Sequence, residues 1–410
     1  MPIKQKIKPA TEKIVAELVD GGFETYVVGG AVRDLLLDLE PKDYDIATAA
    51  QPEQIRKVFG RRKARIIGRR FRLVHVYEKD DCYEVSTFRR EPTTDERRER
   101  VSDNGVMLWR DNEYGSLEQD AKRRDFTVNA LYYDPVGDKG IIDFVGGLED
   151  LRSGLVQTIG DPRVRLEEDP VRMLRALKLV GQYGFRLEEK LASDIRAISH
   201  QIALASRARL FEELLKIVTR AHACNIFSAC HEHGLLQHYW PNLAAIWEKP
   251  TGMILQRFLQ ERATRMAAGG YSTSKALALA TVCLSQVTEK MGCHDLGDLW
   301  QHREGLEHEC RTAIQEFFSP FPVSRYFTAR VRDIIMLLPR LKSGLRKTAV
   351  MRSPEYKYGR ELFSLVATVC GWHADVLDEW PAPEPTSNKR RSDGGRRRSR
   401  HSGRRRRPNQ

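Results

Sequence analysis

The spacing of apolar and polar positions divides the chain into two parts of different character. Up to about residue 150, short apolar runs typical of strands alternate with short amphipathic helices. The predicted strands are TYVV, KDYDIAT, RIIG, RLVHVYE and CYEVSTF, and the predicted helices cover 10–20, 31–39, 51–59 and 116–122. Beyond residue 150, apolar positions recur at helical spacing in long windows up to residue 375, including 166–183, 189–204, 208–219 and 226–236. The pattern predicts an α+β fold class, with an α+β domain followed by all-helical domains.

The same pattern sets the expected domain boundaries. We expect an α+β domain over 10–150, helical regions over 151–220 and 221–380, and a tail over 381–410. Three prolines within residues 381–385 end the helical pattern, and the residues that follow lack the apolar side chains needed for a core. That composition predicts disorder. Residues 89–113 are polar and rich in turn formers, which predicts a mobile loop.

Most of the net charge lies in the tail. The 410 residues carry +12, and residues 389–410 contribute +10 of it, with eleven basic side chains and one acidic one. Arginine-rich disordered segments bind the RNA backbone without a sequence requirement. We therefore expect RNA contacts from seven of the ten tail arginines, which are Arg396, Arg397, Arg398, Arg404, Arg405, Arg406 and Arg407.

Composition also restricts the location and the class of protein. No run of eighteen apolar residues is present, and the N-terminal stretch lacks the apolar centre of a signal peptide. Seven scattered cysteines show no paired spacing, which favours reduced thiols over disulfides or a metal site. We expect a cytoplasmic protein that does not act at a membrane.

Two aspartates in KDYDIAT are the first candidates for chemistry. Asp43 and Asp45 are two residues apart on a predicted strand, so their side chains point to the same face. Two carboxylates that converge in this way can hold Mg²⁺, which completes its shell with substrate phosphates. Glu84, on the alternating strand CYEVSTF, is a candidate third acid. The alternative is a solvated pair of surface carboxylates.

A double glycine precedes these aspartates. Gly29 and Gly30 lie between a predicted strand and the start of a helix, where free backbone N–H groups and the helix dipole favour an anion. Arg33 falls in the first turn, within reach of a phosphate oxygen. An ordinary turn with a surface Arg–Asp pair is the alternative. A phosphate-binding turn close to paired carboxylates suggests phosphoryl or nucleotidyl transfer.

Four segments then resemble one known family. GGAVRDLLL, PKDYDIAT, RRDFTVNALYYD and EDPVRMLRAL, in this order over roughly residues 10–240, are similar to the class II nucleotidyltransferases. That family comprises bacterial poly(A) polymerases and tRNA CCA-adding enzymes. The resemblance implies a nucleotidyltransferase head related to polymerase beta, here 10–150, a helical neck, 151–220, and a helical body with RNA contacts, 221–380.

The resemblance also implies roles for single residues. Asp43 and Asp45 match the ligands of two Mg²⁺ ions, and Glu84 and Asp125 are further candidate catalytic acids. Gly29, Gly30 and Arg33 match positions that hold the triphosphate, and Arg124 and Asp125 match a motif for nucleotide and ribose contacts. Arg175 either supports the triphosphate or faces solvent. Asp169 and Arg172, three residues apart on the predicted helix 166–183, match the pair that selects the base.

These roles have structural alternatives. Considered alone, Asp125 could instead cap the next helix. Glu168 and Arg172, four residues apart, read as an exposed ion pair worth a few tenths of a kcal/mol.

Two features favour the poly(A) polymerase branch. Ile66–Val76 (IIGRRFRLVHV) resembles the stretch typical of bacterial poly(A) polymerases, and the basic tail suits an enzyme that extends many different RNA 3′ ends. The expected reaction is template-independent, with ATP and an RNA 3′-hydroxyl giving RNA-(A)n and pyrophosphate, as in mRNA processing and decay. A tRNA CCA-adding enzyme is the first alternative, and a non-catalytic RNA-binding protein is the second.

Overall fold

A seven-stranded mixed sheet forms the first part of the molecule. The computed structural model describes residues 3–68, 72–79, 81–91, 113–292, 305–319, 321–344, 346–372 and 375–382. The strands of this sheet follow the order β3-β4-β5-β2-β1-β6-β7. They are β1 (Thr25–Val28), β2 (Asp45–Thr48), β3 (Ala64–Ile67), β4 (Leu73–Glu78), β5 (Asp81–Thr87), β6 (Tyr132–Tyr133) and β7 (Ile141–Ile142).

One helix precedes β1, two lie between the first three strands, and two more follow β5 and β7. They are α1 (Pro9–Asp20), α2 (Gly30–Leu36), α3 (Pro52–Lys63), α4 (Leu117–Lys122) and α5 (Gly147–Ser153). Prolines at the start of α1 and α3 suit the first turn, where a backbone N–H has no helical partner. Ser116 caps α4 by accepting a hydrogen bond from the Gln119 N–H.

Helices dominate the rest of the chain, as predicted. They are α6 (Pro162–Glu168), α7 (Val171–Tyr183), α8 (Glu189–Ile198), α9 (Arg207–Val218), α10 (Ala223–Glu232), α11 (Leu236–Tyr239), α12 (Pro241–Ala244), α13 (Pro250–Ala267), α14 (Lys275–Lys290), α15 (Leu306–Phe317), α16 (Arg325–Ser343), α17 (Lys347–Met351), α18 (Tyr356–Val369) and α19 (Asp375–Asp378).

One large apolar core runs from the sheet through the helices. It joins side chains such as Val27 and Ile46 on the sheet to Leu174 and Leu177 on α7 and to the helices that follow. A smaller core on the opposite face of the sheet packs α4 against Tyr26, Val28, Ala47, Phe88 and Tyr132. Within the described ranges, no helix is both long enough and apolar enough to cross a bilayer.

The structure corrects three elements of the predicted pattern. The helix expected over 166–183 is broken, because Asp169 has extended backbone angles and Pro170 begins a new helix. Clash with the proline ring disfavours helical geometry at the preceding residue, which explains the break. Asp43 lies just before β2 rather than within it. The helical part also contains a two-stranded parallel sheet, β8 (Leu155–Val156) with β9 (Arg186–Leu187), whose strands are too short to show a period.

Candidate active site

The glycine turn and Asp45 are adjacent because of strand register. β1 pairs antiparallel with β2, so Val28 at the end of β1 lies opposite Asp45 at the start of β2. β2 pairs in parallel with β5, which places Glu84 on the other side of Asp45. Gly29, directly after Val28, has a φ of 74° and donates its N–H to the Leu131 carbonyl at 3.0 Å. The register thus brings the predicted phosphate turn beside the predicted metal carboxylates.

Gly29 and Gly30 should respond differently to alanine. With φ 74° and ψ −132°, Gly29 occupies a region essentially reserved for glycine, so Gly29→Ala should cost about 1–3 kcal/mol of unfolding free energy. Gly30 begins α2 with ordinary angles, and a Cβ there would meet only the Arg33 Nη2, at 3.5 Å. Gly30→Ala should therefore leave Tm unchanged, and urea unfolding of both variants checks the difference. Equal destabilisation by both would contradict this account of the turn.

A polar cleft opens between this edge of the sheet and α7. Its volume is about 210 Å³, and Gly30 and Asn129 contribute to its wall. The lining is rich in charge of both signs, with five cations and three carboxylates. The cations are Arg33, Lys42, Arg175, Lys178 and Arg220, and the carboxylates are Asp34, Asp43 and Asp45. Excess positive charge beside a small group of acids suits a polyphosphate accompanied by divalent cations.

Asp45 carries the strongest electrostatic perturbation in the cleft. Its carboxylate faces the opening, yet protein surrounds it on the other sides. Partial burial, followed by the negative charges of Glu84 and Asp43, raises the pKa of Asp45 from 3.8 to about 6, although Arg124 and Arg175 oppose the shift. A cation bound at this carboxylate would relieve the repulsion. Titratable groups perturbed in this way are concentrated at functional sites.

The carboxylates of the cleft are suited to magnesium. Asp43 and Asp45 are exposed to the cleft, whereas Tyr44 and Ile46, which alternate with them, are buried. The carboxylates therefore share one face, as predicted. Among the described residues, no three acidic, histidine or cysteine side chains are close enough to hold an ion by themselves. A carboxylate pair is nevertheless what Mg²⁺ uses when waters and substrate phosphates fill its other positions.

Arg33 is held in place by the neck. Its guanidinium is buried and donates to Asp34 at 2.8 Å, to Asn129, and to the Tyr183 hydroxyl on α7. The hydroxyl of Tyr183 in turn donates to Asp34 at 2.8 Å. Burial raises the pKa of Tyr183 to about 12, so the phenol keeps the proton that it donates. The predicted phosphate ligand is thus fixed at the cleft wall before any ligand binds.

Asp125 lies behind the cleft rather than in it. It is buried and forms an ion pair with Arg175 across 2.8 Å. Burial opposes ionisation, but the charge of Arg175 and hydrogen bonds from Phe126 and Asn129 outweigh it and lower the pKa of Asp125. The 3₁₀ turn that follows begins after Phe126, so Asp125 does not cap it. Its position suits an acid that orients Arg175, which does line the cleft.

Arg124 also points away from the cleft. Its guanidinium donates to Asp120 at 3.0 Å and to the Tyr132 hydroxyl at 3.0 Å. Asp120 also accepts from Tyr132 and from the Arg89 N–H. Arg124 nevertheless lies close to Gly29. A Cβ added at Gly29 would be in van der Waals contact with the Arg124 Nη1, at 3.5 Å. Arg124 therefore supports the glycine turn from behind.

Asp169 and Arg172 do not pair with each other. The helix break turns Asp169 toward α9, where both its oxygens accept hydrogen bonds from Arg209, at 2.9 and 2.7 Å. Arg172 donates to Glu168 at 3.0 Å, as the predicted i, i+4 pair, and to the Arg165 carbonyl at 2.7 Å. The common helical face inferred from the sequence is wrong in this respect. Neither side chain lines the cleft described above.

Sequence reasoning missed a buried arginine at this junction. Arg165 contacts Glu91 at 2.8 Å and Glu168 at 2.9 Å, and donates to the carbonyls of Arg123 and Arg124 at 2.6 and 2.7 Å. These partners lie up to 74 residues away along the chain. Sequence reasoning also missed residues that line the cleft itself, namely Lys42, Lys178, Tyr183 and Arg220. The sequence shows that these side chains are basic or aromatic, but not which residues they contact.

Some predicted features lie outside the described residues. These are most of the predicted loop, at 92–112, residues 69–71 of the Ile66–Val76 stretch, and all seven tail arginines predicted to contact RNA. Beside the first of these, Arg89 and Tyr114 form an isolated antiparallel bridge.

Comparison with known proteins identifies the family. Residues 25–157 match the family described as the poly A polymerase head domain, and residues 184–246 match the one described as the probable RNA and SrmB-binding site of polymerase A. Poly(A) polymerase I of Haemophilus influenzae is 34% identical over 380 residues, which are 90% of this chain and 82% of that protein. The chain belongs to the poly(A) polymerase family. Poly(A) polymerase I of an Escherichia coli O6:H1 strain is 34% identical over 87% of this chain and 78% of its own length.

CCA-adding enzymes match this poly(A) polymerase family member less completely. The CCA-adding enzyme of Lactobacillus helveticus is 37% identical over 214 residues, only 52% of this chain and 51% of that enzyme. Among solved structures, Bacillus stearothermophilus CCA-adding enzyme in complex with CTP has a TM-score of 0.61 and 27% identity, covering 91% of this chain and 82% of its own. A tRNA nucleotidyltransferase with primer tRNA and an ATP analogue, at 21% identity and a TM-score of 0.58, shows the shared fold alone.

The fold predicted for the poly(A) polymerase family is thereby confirmed. A mixed-sheet nucleotidyltransferase head precedes helical domains, and the family match and the solved CCA-adding enzyme agree with that architecture. The domain boundaries and the roles of individual residues stay predictions.

Proposed function

We propose that this chain adds adenylates to RNA 3′ ends without a template, converting ATP and an RNA 3′-hydroxyl to RNA-(A)n and pyrophosphate. One observation carries the choice of product. Poly(A) polymerase I of Haemophilus influenzae is 34% identical over 90% of the chain, whereas the CCA-adding enzyme of Lactobacillus helveticus reaches 37% identity over only 52%, and the CCA-adding enzyme structure that covers 91% is 27% identical. The cleft supports the reaction type, because it combines two carboxylates with a surplus of cations.

In this proposal the cleft binds the triphosphate of ATP. The Gly29–Gly30 turn lets the phosphates approach the backbone, and Arg33 and Arg175 donate to phosphate oxygens from opposite walls. Lys178 contributes charge, and its partner Glu213 stays ionised because Lys178 and Lys216 outweigh burial and lower its pKa to about 2. Positioned cations stabilise charge that moves onto the leaving pyrophosphate.

Asp43 and Asp45 would hold two magnesium ions, which would lower the pKa of the RNA 3′-hydroxyl and neutralise negative charge on the leaving pyrophosphate. Glu84 adds negative charge beside Asp45 and so increases the attraction for cations. Asp125 acts through Arg175, which it fixes toward the cleft across 2.8 Å.

In this proposal Asp169 and Arg172 select adenine, although neither side chain lines the cleft that binds the triphosphate. The Asp169 Oδ1 accepts from Arg209 and from the Val171 N–H, whereas the Oδ2 accepts from Arg209 and keeps a lone pair for a base. Arg172 has further N–H groups beyond those given to Glu168 and the Arg165 carbonyl. A site that satisfies one base edge rejects another through the polar groups left unpaired. Arg124 supports the nucleotide indirectly, through the glycine turn.

RNA is the expected macromolecular partner. The match at 184–246 carries the description of an RNA-binding site, and the tail at 389–410 adds ten net positive charges for the phosphate backbone. These features favour a cytoplasmic enzyme of mRNA processing and decay.

A nucleotide-choice assay tests the proposal. The purified protein receives Mg²⁺, one labelled RNA that lacks the CCA end, and each nucleoside triphosphate in turn. We expect long tails from ATP alone and no extension when EDTA removes the metal. Addition of cytidylate that stops after CCA would establish the tRNA-processing alternative. Binding of RNA without extension by any nucleotide would favour a non-catalytic protein.

A further inference from the structure

The folded body contains a second concentration of positive charge, separate from the tail. Residues 321–372 hold ten Lys or Arg and three Asp or Glu, a net charge of +7. Since the whole chain carries +12 and residues 389–410 carry +10, everything outside these two segments is net −5. The segment therefore stands out against an acidic background. It lies beyond the matched RNA-binding region at 184–246.

An aromatic platform lies within this basic segment. The platform consists of Tyr326, Arg330 and Tyr358, with the guanidinium carbon of Arg330 at 5.5 Å from the centre of each ring. Buried Glu355 fixes that guanidinium through two bonds, at 2.6 and 3.0 Å. The platform is thus ordered by α16 and by the start of α18.

The ring of Tyr326 is open to solvent. Tyr326 is 65% exposed, among the most exposed large side chains of the described residues. Besides the Arg330 guanidinium, its ring makes an edge contact with Phe327 at 5.7 Å, and the rest of its surface is open to solvent. A rigid, exposed aromatic ring offers a stacking surface for a nucleobase, and such stacking tolerates any sequence.

Three exposed cations flank the platform. Arg325 precedes Tyr326, Lys357 precedes Tyr358, and Arg352 lies three residues before Glu355; all three are exposed. In the described part of the chain, none of the three forms an ion pair within 4 Å. Of the acids nearest in sequence, Glu355 binds Arg330 and Asp333 binds Arg332, whereas Glu361 feels the charge of Lys357 and accepts from the Ser272 N–H. The surface therefore keeps a surplus of positive charge for phosphates.

A cleft on α18 extends this surface. It has a volume of about 550 Å³ and is lined by Lys357 together with Arg265, Tyr271, Arg360 and Glu361. Pockets of this size accommodate a small ligand such as one nucleotide. Lys357 belongs to the cleft and is the chain neighbour of Tyr358, so platform and cleft meet at α18.

We propose that the platform and its flanking cations bind single-stranded RNA, with a base stacked on Tyr326 and phosphates on Arg325, Arg352 and Lys357. Duplex RNA cannot present an unstacked base to the ring, which makes the surface selective for single strands. The occupant is the strand upstream of the 3′ end, and this assignment rests on the proposed RNA substrate.

Equilibrium binding of a labelled single-stranded RNA to the full chain, without ATP, tests the platform. Tyr326→Ala should weaken binding about tenfold, as loss of one stacked base does, whereas Tyr326→Phe keeps the ring and should bind like wild type. Neither change should alter the affinity for duplex RNA. Because Tyr326 is exposed, the melting curves should coincide.

The salt dependence of the same binding tests the cations. Each phosphate contact to a single strand contributes about 0.7 to the slope of log affinity against log salt. The triple change Arg325→Ser, Arg352→Ser and Lys357→Ser should therefore reduce that slope by about 2. A matched control removes Lys57, Arg61 and Arg62, three exposed cations of α3 in the head, and should leave the slope unchanged.

Three results would overturn the proposal. They are unchanged single-strand binding in Tyr326→Ala, an equal loss for duplex RNA, and an equal drop in slope for the α3 control. Unchanged RNA binding in every variant would contradict the RNA proposal and would indicate an acidic protein as the partner of this surface. Because the assay contains no nucleotide, failure of adenylate addition and failure of this surface give separate readouts.

Discussion

Asp45→Asn should abolish adenylate addition and, at the same time, raise the melting temperature of the ligand-free protein. Loss of a metal carboxylate removes several kcal/mol of stabilisation from the transition state, which corresponds to about a thousandfold or more in rate. The gain in stability has a separate cause, namely the removal of a charge that the folded protein disfavours. Burial and the neighbouring carboxylates Glu84 and Asp43 disfavour the charged form of Asp45 in the folded protein, and asparagine has no charge to disfavour.

The pH dependence of this gain follows from the raised pKa. Between its ordinary value of 3.8 and about 6, folded Asp45 binds more protons than the unfolded chain does. This group therefore lowers stability as pH rises through that window, and the cost is complete above about pH 6. The difference in Tm between variant and wild type should be largest at neutral pH and should vanish as pH falls below 4.

Magnesium separates the two effects of the substitution. Added Mg²⁺ should raise the Tm of the wild type, because binding relieves the repulsion at Asp45, and should leave Asp45→Asn unchanged. Asp20→Asn, at the exposed end of α1, serves as the control and should alter neither activity nor the response to Mg²⁺. Turnover near the wild-type rate in Asp45→Asn would refute the metal assignment. A lower Tm at neutral pH would refute the crowded-carboxylate account.

Arg165→Met should destabilise the protein by about 3–5 kcal/mol, the cost of removing one partner from a buried charge network. The guanidinium of Arg165 is almost fully buried and joins Glu91, Glu168 and two backbone carbonyls. Methionine fills similar volume but removes the donor to the two backbone carbonyls and the positive charge beside the two acids. The two carbonyls belong to Arg123 and Arg124, so the backbone just before Asp125 should lose its anchor.

The neighbouring Arg163 provides a matched control. It lies on the same short helix and pairs with Glu167, but both side chains are more than 40% exposed. Exposed pairs contribute little, so Arg163→Met should cost less than about 0.5 kcal/mol. Urea unfolding of both variants measures the difference, and KM for ATP should rise in Arg165→Met alone. Similar stabilities for the two variants would show that the buried network adds nothing.

The success of the sequence-based prediction differs from element to element. Alternation over 81–87 and the glycine turn were sufficient to place Glu84, Gly29 and Asp45, because strand period and positive φ are local properties. The helix break at Asp169 also had a local signal, namely Pro170, because a proline disfavours helical geometry at the residue before it. The two-residue strands β8 and β9 had no signal at all.

The missed cleft residues show a different limit. Tyr183 meets Arg33 from 150 residues away, and Arg209 meets Asp169 from 40 residues away. A basic or aromatic side chain on a helix has no feature in the sequence that names such a partner. Its partner depends on how the helices pack, which is set by the whole apolar core rather than by any single motif.

The contacts between the sheet and the helices that follow it also affect how cooperatively the protein unfolds. The recognised head ends at residue 157, yet β8 pairs with β9 at 186–187, Arg33 is bound by Tyr183, and Asp125 is bound by Arg175. A fragment that stops at the family boundary would lose each of these partners. We therefore expect the head to unfold together with α7 and β9 in the full chain, with no separate transition at the boundary recognised in the sequence.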